Sequence, residues 1–551
     1  MLRPYQSETL QAIRSNYRAG VRRQVISSAT GTGKTYIFAH IPAFMREDAP
    51  GQILVLVHTE ELVEQNADEL RRCNPDLSVS IEMAERHADP AADIIVASVP
   101  TLGRANTKRR ENFNWDGISV CICDEAHHST AATYKRIFET GGFLAEGSQK
   151  LLVGFTATPN RSDGTPLAEI YEKIVFNYPM RKAIEDKWLC DITGVRVDTR
   201  TCLDYVHTVN GEFNQTELAE TVNTPERNRL IVESWIKEGQ QRKTVAFTVD
   251  IQHAKDLAAS FRQLEVKAEA IWGTDPERSV KLARHKSGET LVLTNCAVLT
   301  EGYNDPSIEC IVLARPTKSS LLFTQAIGRG TRLCDGKQNC LVMDVVDSTK
   351  RHSLVSLPSL LGLPARLNLK GRSAIGSVKE LEEAAREYPH VDLSGLRDMS
   401  KLQEFIKQVN FWDVKFPEEI QMFSDLTWHR SLDGGFVLLL PAKEKLEIRK
   451  NLLGKFDVSG IVNGKTVSGT RDTLEKAVRD CDAWIRKNAS QQLPILRQKS
   501  KWHSTPATEK QRATLHKLLR GTGQQVPADL SKGDASRIIG QRIAQFSPRP
   551  A

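Results

Sequence analysis

Five short, almost uninterrupted apolar runs punctuate the first third of the chain: RQVISS from Arg23, QILVLVHT from Gln52, DIIVAS from Asp93, ISVCICD from Ile118 and KLLVGFTAT from Lys150. A strand with one wet face alternates polar and apolar residues; a run apolar throughout must be covered on both faces. Between the first two runs, Ile37, Phe38, Ile41, Phe44 and Met45 recur at helical spacing. Strand and helix in alternation predict a parallel sheet with helices on either side. A second series follows in KTVAFTV, KAEAIW, ETLVLTN, SIECIVLA and NCLVMDVVD, with a helical pattern in DIQHAKDLAASFRQL. The fold class expected is therefore α/β, two tandem parallel-sheet domains spanning 1–180 and 181–350, meeting near Tyr178–Cys190.

After Asp347 the pattern changes. SLVSLPSLLGLPARLNLKGRSAIGS is rich in Ser, Gly and Pro, and it opens a connector with helices over 351–425. VKELEEAAREY and MSKLQEFIKQV carry the helical patterns there. A smaller α+β accessory domain is expected over 426–551. Its strands are GGFVLLLP, KLEIRK and FDVSGIVNGKTVSGT, with Asn463-Gly464 as a hairpin turn. A helix is predicted to open at Asp472 with Glu475 completing a capping box, and its apolar face is Leu474, Ala477, Val478, Cys481, Trp484 and Ile485. Thr508 and Gln511 start a last helix that Gly521 stops.

The chain has 551 residues and a net charge of +7, unevenly placed. From Pro441 onward there are 22 Lys and Arg against 10 Asp and Glu, so the first 440 residues sum to −5. A basic tail on a near-neutral body points to a polyanionic partner, with an ordinary solvated surface as the bland alternative. No run approaches the roughly 20 apolar residues of a membrane span. The start, MLRPYQSETL, has the character of neither a secretory nor an organelle leader. A cytoplasmic or nucleoid-associated location is expected, or an organelle matrix if a leader is missing. None of the ten cysteines forms a Cys-x-x-Cys pair, and Cys121 and Cys123 read as small buried strand residues.

Three stretches carry chemistry. SATGTGKT (28–35) lies between a strand and a helix, the context a phosphate-binding loop requires. Gly31 and Gly33 let backbone N–H groups close around phosphate oxygens. Lys34 would reach the β- and γ-phosphates, and Thr35 would hold Mg²⁺. CICDEAHH ends a buried strand in two acids, costly unless they have work to do. Asp124 would bind Mg²⁺ and Glu125 would orient and deprotonate the attacking water. In QAIGRGTR, Arg329 and Arg332 stand one helical turn apart and could meet a γ-phosphate held by the other domain, as arginine fingers.

This set, in this order, resembles the motor of a superfamily 2 DEAD/DEAH-box helicase. SATGTGKT resembles motif I, DEAH motif II, TAT motif III, TEGYNDP motif V and QAIGRGTR motif VI. VHTEELVEQ and ASVPTL stand where motifs Ia and Ib belong. LRPYQ resembles the Q-tip of the XPB-, RadD- and UvsW-like branch, and DEAHHSTAATYKRI, TATPNRSDG and NTPERN are closest to RadD and the mitochondrial branched-DNA helicases. The resemblance covers residues 1 to about 350 and implies RecA-like domains. It implies ATP and Mg²⁺ as cofactors, with Gln6 reading adenine and Thr30, Gly31, Thr32, Gly33, Lys34 and Thr35 lining the phosphates. Gly302, Asp305 and Gln325 would join the nucleotide contacts from the second domain. His58, Thr59, Ser98, Thr101, Thr156, Thr158 and Thr300 would touch nucleic acid or couple it to hydrolysis. Two features depart from the pattern: RadD-type proteins carry a Cys-rich zinc segment after the motor, and the mitochondrial relatives carry a targeting leader.

The function these readings imply is an ATP-dependent DNA helicase or translocase in repair, recombination or fork processing, with protein partners in such a complex and no membrane. DNA is favoured over RNA through the Q-tip and motif VI. An RNA helicase, the motor of a type I restriction-like complex and a non-catalytic nucleic-acid scaffold are the alternatives. Trp428, Phe436, Trp484 and Trp502 in the accessory part could stack on bases or wedge a junction, or else form core, which the apolar helical face favours for Trp484.

Overall fold

The computed structural model describes residues 2–111, 113–157, 167–209, 211–239, 241–296, 298–299, 303–349, 354–364, 366–387, 393, 396–402, 417–431, 435–441, 444–451, 455–497, 501–519 and 525–544. The chain divides into two compact units, Met1–Leu361 with Leu369–Ile375, and Gly362–Asn368 with Gly376–Ala551.

The first unit holds both parallel sheets. Strands β1 (Arg23–Ser28), β2 (Gln52–Val57), β3 (Val79–Glu82), β4 (Ile94–Ser98), β5 (Ile118–Cys123), β6 (Leu151–Thr156) and β7 (Lys173–Tyr178) form a seven-stranded sheet in the order β3-β4-β2-β5-β6-β1-β7. Every pairing is parallel. β5, β6 and β1 are neighbours, so the loops after them, which hold Asp124, Thr156 and the Gly-rich loop, open on one carboxyl edge. That edge is where ligands bind in open α/β sheets.

The second sheet is built from β8 (Asp191–Cys202), β11 (Thr244–Phe247), β12 (Ala268–Ile271), β13 (Val292–Asn295), β14 (Cys310–Leu313) and β15 (Asn339–Ser348). Its order is β12-β13-β11-β14-β15-β8, again parallel throughout. A small antiparallel hairpin, β9 (Thr208–Val209) and β10 (Glu212–Phe213), follows β8. The α/β class and the sheet-forming runs read from sequence are as expected.

Three strands go beyond the sequence reading. β3 is only four residues long, and β7 and β8 lie in or beside the stretch read as a junction. The helical pattern after the Gly-rich loop is also two short helices, Lys34–Phe38 and Ile41–Met45, rather than one. Pro42 sits in the first turn of the second, where a missing N–H costs nothing.

The second unit holds an antiparallel sheet in chain order, β16 (Trp428–Arg430), β17 (Phe436–Leu439), β18 (Lys445–Lys450), β19 (Phe456–Val462) and β20 (Lys465–Arg471). Asn463 and Gly464 both adopt positive φ between β19 and β20, as a two-residue type I′ turn demands. The helix Leu474–Asn488 covers the sheet through Ala477, Val478, Cys481 and Ile485.

Its cap corrects the sequence reading. Thr473, not Asp472, accepts the first free N–H, from Lys476, and Glu475 instead pairs with Arg479 at 2.9 Å. The junction-wedge reading fails for Trp428 and Phe436, which are buried core, and Trp484 packs against the same cluster. The Thr508–Gln511 capping box is present at the start of the helix Glu509–Leu518. Gly521 and the side chain of Trp502 lie outside the described residues, and no described helix is long and apolar enough to cross a membrane.

Candidate active site

The Gly-rich loop leaves β1 and folds over its own carboxyl edge. Gly31 and Gly33 both take left-handed φ, +89° and +79°, which only glycine adopts without strain. Thr32 locks the turn: its hydroxyl donates to the Ala29 carbonyl at 2.6 Å and pairs with the Ser28 hydroxyl at 2.7 Å. Lys34 opens the following helix, with Nζ 3.5 Å from the Ser28 carbonyl, a weak resting contact that a phosphate could replace. Thr30 is buried with its hydroxyl unpartnered.

Gln6 lies against this loop. Its Nε2 donates to the Thr32 carbonyl at 3.3 Å, and its Oε1 accepts from the Arg3 N–H at 2.9 Å. The Tyr5 hydroxyl donates to the same Thr32 carbonyl at 2.5 Å. The Tyr5 ring stacks on Tyr178 with centroids 4.2 Å apart, and Arg3 sits 4.6 Å over Trp188. This aromatic wall was missed in the sequence. Tyr178 and Trp188 belong to the stretch read as a junction, and nothing local ties them to Tyr5.

At the end of β5, the Asp124 Oδ1 accepts from the Glu125 N–H at 2.9 Å, and Glu125 itself adopts positive φ. Burial, followed by the neighbouring Glu125 charge, pushes the Asp124 carboxyl up. Glu125 is pulled the other way: burial acts to raise it, but Lys34, His127 and Arg329 together hold it well below the usual carboxylate range. One acid is thus biased to keep a proton or take a cation, and the other to stay ionised.

His127 stands behind the pair. Its Nδ1 lies 3.2 Å from Glu125 Oε2 and 3.4 Å from the hydroxyl of Thr156, at the end of β6. The expected link from the TAT stretch to the acids therefore runs through His127. His58 stacks obliquely near His128, centroids 5.2 Å apart.

The second sheet comes to this site through the helix Ser320–Gly330. A methyl group built on Gly328 would fall 2.3 Å from Thr30 Cβ, and one on Gly31 would lie 3.3 Å from Arg332 Cγ. Arg329 and Arg332 are thus brought to the Gly-rich loop, and the charge of Arg329 bears on Glu125. Arg329 Nη1 donates to the Tyr303 carbonyl at 2.9 Å, and Arg332 Nη1 to the same oxygen at 3.3 Å. Gln325 is buried on this helix.

Other expected residues are placed differently. Asp305 was read as a nucleotide contact, but its carboxylate is occupied by Lys243, Ser307 and Tyr303. Tyr303 and Ser307 are its near neighbours in the chain, but Lys243 comes from a distant part of it and is invisible in the motif. Thr59 caps the helix Glu60–Cys73, accepting from Leu62 N–H at 3.4 Å. Ser98 is buried at the end of β4, and Thr101 accepts from Ala84 N–H at 3.1 Å. Thr158, Thr300 and Gly302 lie outside the described residues.

Comparison with known proteins follows this layout. The profile described as "Type III restriction enzyme, res subunit" matches residues 1–161, and "Helicase conserved C-terminal domain" matches 226–334. The chain belongs to the superfamily 2 helicases. It is an enzyme of the ATP-dependent helicase class. A third profile, "Mitochondrial helicase Irc3, C-terminal domain", matches residues 397–547 of this helicase. It is 27% identical over 635 residues to the Saccharomyces cerevisiae protein described as "Putative ATP-dependent helicase IRC3", spanning 98% of this chain and 91% of the relative. A Schizosaccharomyces pombe relative, "Putative mitochondrial ATP-dependent helicase irc3", is 34% identical over 66% of this chain and 60% of its own. The "ATP-dependent DNA helicase uvsW" of Enterobacteria phage T4 is 22% identical over 59% of this chain and 66% of its own.

Proposed function

We propose that this helicase couples ATP hydrolysis to movement on, or remodelling of, DNA, and that it works in repair, recombination or replication-fork processing. The observation that carries the reading is the contact of Gly328 and Arg332 with the Gly-rich loop. It makes the ATP site a cleft whose two walls belong to different sheets. A cleft that needs both walls can open when the γ-phosphate leaves, which converts chemistry into relative motion.

In this reading Gln6 and the Tyr5–Tyr178 wall hold the base, and Lys34 and the N–H groups of the loop hold the phosphates. Thr35 and Asp124 fit a divalent cation: both are oxygen donors, and the Asp124 carboxyl is buried where a cation would offset its cost. Bound there, Mg²⁺ would neutralise charge on the phosphates. Glu125, kept ionised by its neighbours, takes a proton from the attacking water, and His127 and Thr156 fix its orientation. Arg329 and Arg332 stabilise charge developing on the γ-phosphate.

Domains at 1–180 and 181–350 would carry these two walls; the residues over 351–425 would be a connector with helices, and the basic accessory domain over 426–551 would add affinity for a polyanion. The carboxyl-edge residues His58, Thr59, Ser98 and Thr101 would meet the sugar-phosphate backbone, because movement must tolerate any sequence. The phage relative's name and the Q-tip support DNA; the fission-yeast relative's name supports a nucleoid or organelle matrix as the place of work. ATPase activity measured in parallel with single-stranded, forked and Holliday-junction DNA, a D-loop and RNA tests the reading. Stimulation by DNA is expected, and stimulation by RNA alone would refute it.

A further inference from the structure

The turn from Tyr303 to Ser307 holds both arginines of the cleft at one point. The Tyr303 carbonyl accepts from Arg329 Nη1 at 2.9 Å and from Arg332 Nη1 at 3.3 Å, and the Asn304 side-chain oxygen takes another bond from Arg332. Two guanidiniums that repel each other converge on a single peptide oxygen. That oxygen can set their positions only if its own peptide is fixed.

It is fixed from two directions. The Tyr303 hydroxyl donates to Asp305 Oδ2 at 3.1 Å and lies 3.3 Å from His285 Nδ1. Asp305 Oδ2 is 3.0 Å from Lys243 Nζ, just before β11, and its Oδ1 accepts from the N–H and hydroxyl of Ser307 at 3.0 and 2.5 Å. Lys243 Nζ also donates to the Lys286 carbonyl at 2.9 Å. His285, fully buried on the helix Arg278–Ser287, has Nε2 3.1 Å from the Thr244 carbonyl. A carbonyl can only accept, so Nε2 carries the imidazole proton, and Nδ1 lies beside the Tyr303 hydroxyl, whose single proton goes to Asp305. Lys243 and Thr244 stand at the amino edge of the second sheet. That is also where Cys190, just before β8, donates its N–H to the Thr331 carbonyl, between the two arginines. The network thus ties the arginine-bearing end of the helix to the rigid edge of the sheet.

We propose that Tyr303 and Asp305, backed by Lys243 and His285, are positioning residues that hold Arg329 and Arg332 where they can reach the γ-phosphate. The proposal rests on the reading of those two arginines as arginine fingers. None of the four residues need touch nucleotide. Their loss should slow the chemical step through misplacement of the guanidiniums and leave ATP binding, which belongs to the other wall, intact.

Tyr303→Phe removes only the hydroxyl and keeps both the ring and the carbonyl; Asp305→Asn is the second variant. In the full chain at saturating single-stranded DNA, each is expected to lower kcat for ATP about tenfold, with KM and nucleotide Kd within about twofold of the parent. The double variant should be no slower than the slower single, because both act through one peptide. Placed in a background with both Arg329→Ala and Arg332→Ala, Tyr303→Phe should add nothing. Parental kcat in Tyr303→Phe, with hydrolysis lost in Arg332→Ala, would overturn this proposal and leave the finger reading standing. Normal turnover in Arg332→Ala would remove the finger reading, and this proposal with it. A fall in melting temperature with kcat and Kd lost together would mark a merely structural role, and would also overturn it.

Discussion

Replacing Gly328 with alanine tests the cleft at its tightest point. The added methyl would stand 2.3 Å from Thr30 Cβ and 2.7 Å from Thr30 Cγ2. Carbon atoms in contact sit at about 3.5 Å or more, so the two walls must part by about 1.2 Å. Thr30 is bonded to Gly31, and Gly328 to Arg329, so neither wall can yield without carrying with it the groups proposed to hold and act on the phosphates. A misplacement of about 1 Å can cost on the order of 100-fold in rate, and a fall in kcat of that order is expected. Folding should not suffer: Gly328 lies inside the helix Ser320–Gly330 without positive φ, and alanine is favoured over glycine there by about 0.8–1 kcal/mol. Steady-state ATPase with saturating DNA, beside a thermal melt, reads both effects. A melting temperature at or above the parent's with kcat down about 100-fold is the expected pair. Thr30→Ala keeps the clashing Cβ and should not rescue the variant, whereas Thr30→Gly should restore part of the rate. Parental kcat in Gly328→Ala would show that the walls do not approach this way during turnover.

Two further predictions concern stability. Arg227, from the NTPERN stretch, grips Asp347 through two bonds of 2.9 and 2.8 Å and donates to the Ala314 carbonyl at 3.0 Å, with both partners of the ion pair buried. Arg227→Ala strands a buried carboxylate and should cost about 3–5 kcal/mol, read from the urea midpoint; an unchanged midpoint would refute the lock. Asp344 is buried in the second sheet, and burial raises its carboxyl from 3.8 to about 6 even though it accepts from Leu357 N–H. A raised folded-state value gives stability that is complete below about pH 3.8 and lost as pH climbs through 6. The stability of Asp344→Asn relative to the parent should therefore rise between pH 4 and 6 and level off above, by on the order of 3 kcal/mol. A pH-independent difference between the two proteins would contradict that assignment.

What the sequence made legible follows from how local each signal is. Strands apolar at nearly every position, such as β2 and β5, announce themselves because both faces are covered. β8 did not, because it is the edge strand of its sheet, laddered there with β15, and its last residues alternate between exposed and half-buried. The Gly-rich loop and the acid pair are contiguous in sequence, so their chemistry could be read before any fold was known. Lys243 reaches Asp305 from a distant part of the chain, and the Tyr5–Tyr178 stack likewise joins residues far apart in sequence. Such contacts depend on topology, and no motif encodes them. The capping residue Thr473 was missed by one position, because Asp472 and Thr473 are both good caps and only the backbone of the strand before them chooses.

The central claim is that Glu125, between Lys34 and His127, activates the water in a cleft that DNA switches on. The direct test is ATP turnover with and without single-stranded DNA, in the parent and in Glu125→Gln, with nucleotide binding measured beside it. The account predicts DNA-stimulated turnover in the parent, and in the variant ATP binding of parental affinity with hydrolysis reduced to background. Normal turnover in Glu125→Gln, or a parent indifferent to every DNA tested, would contradict it.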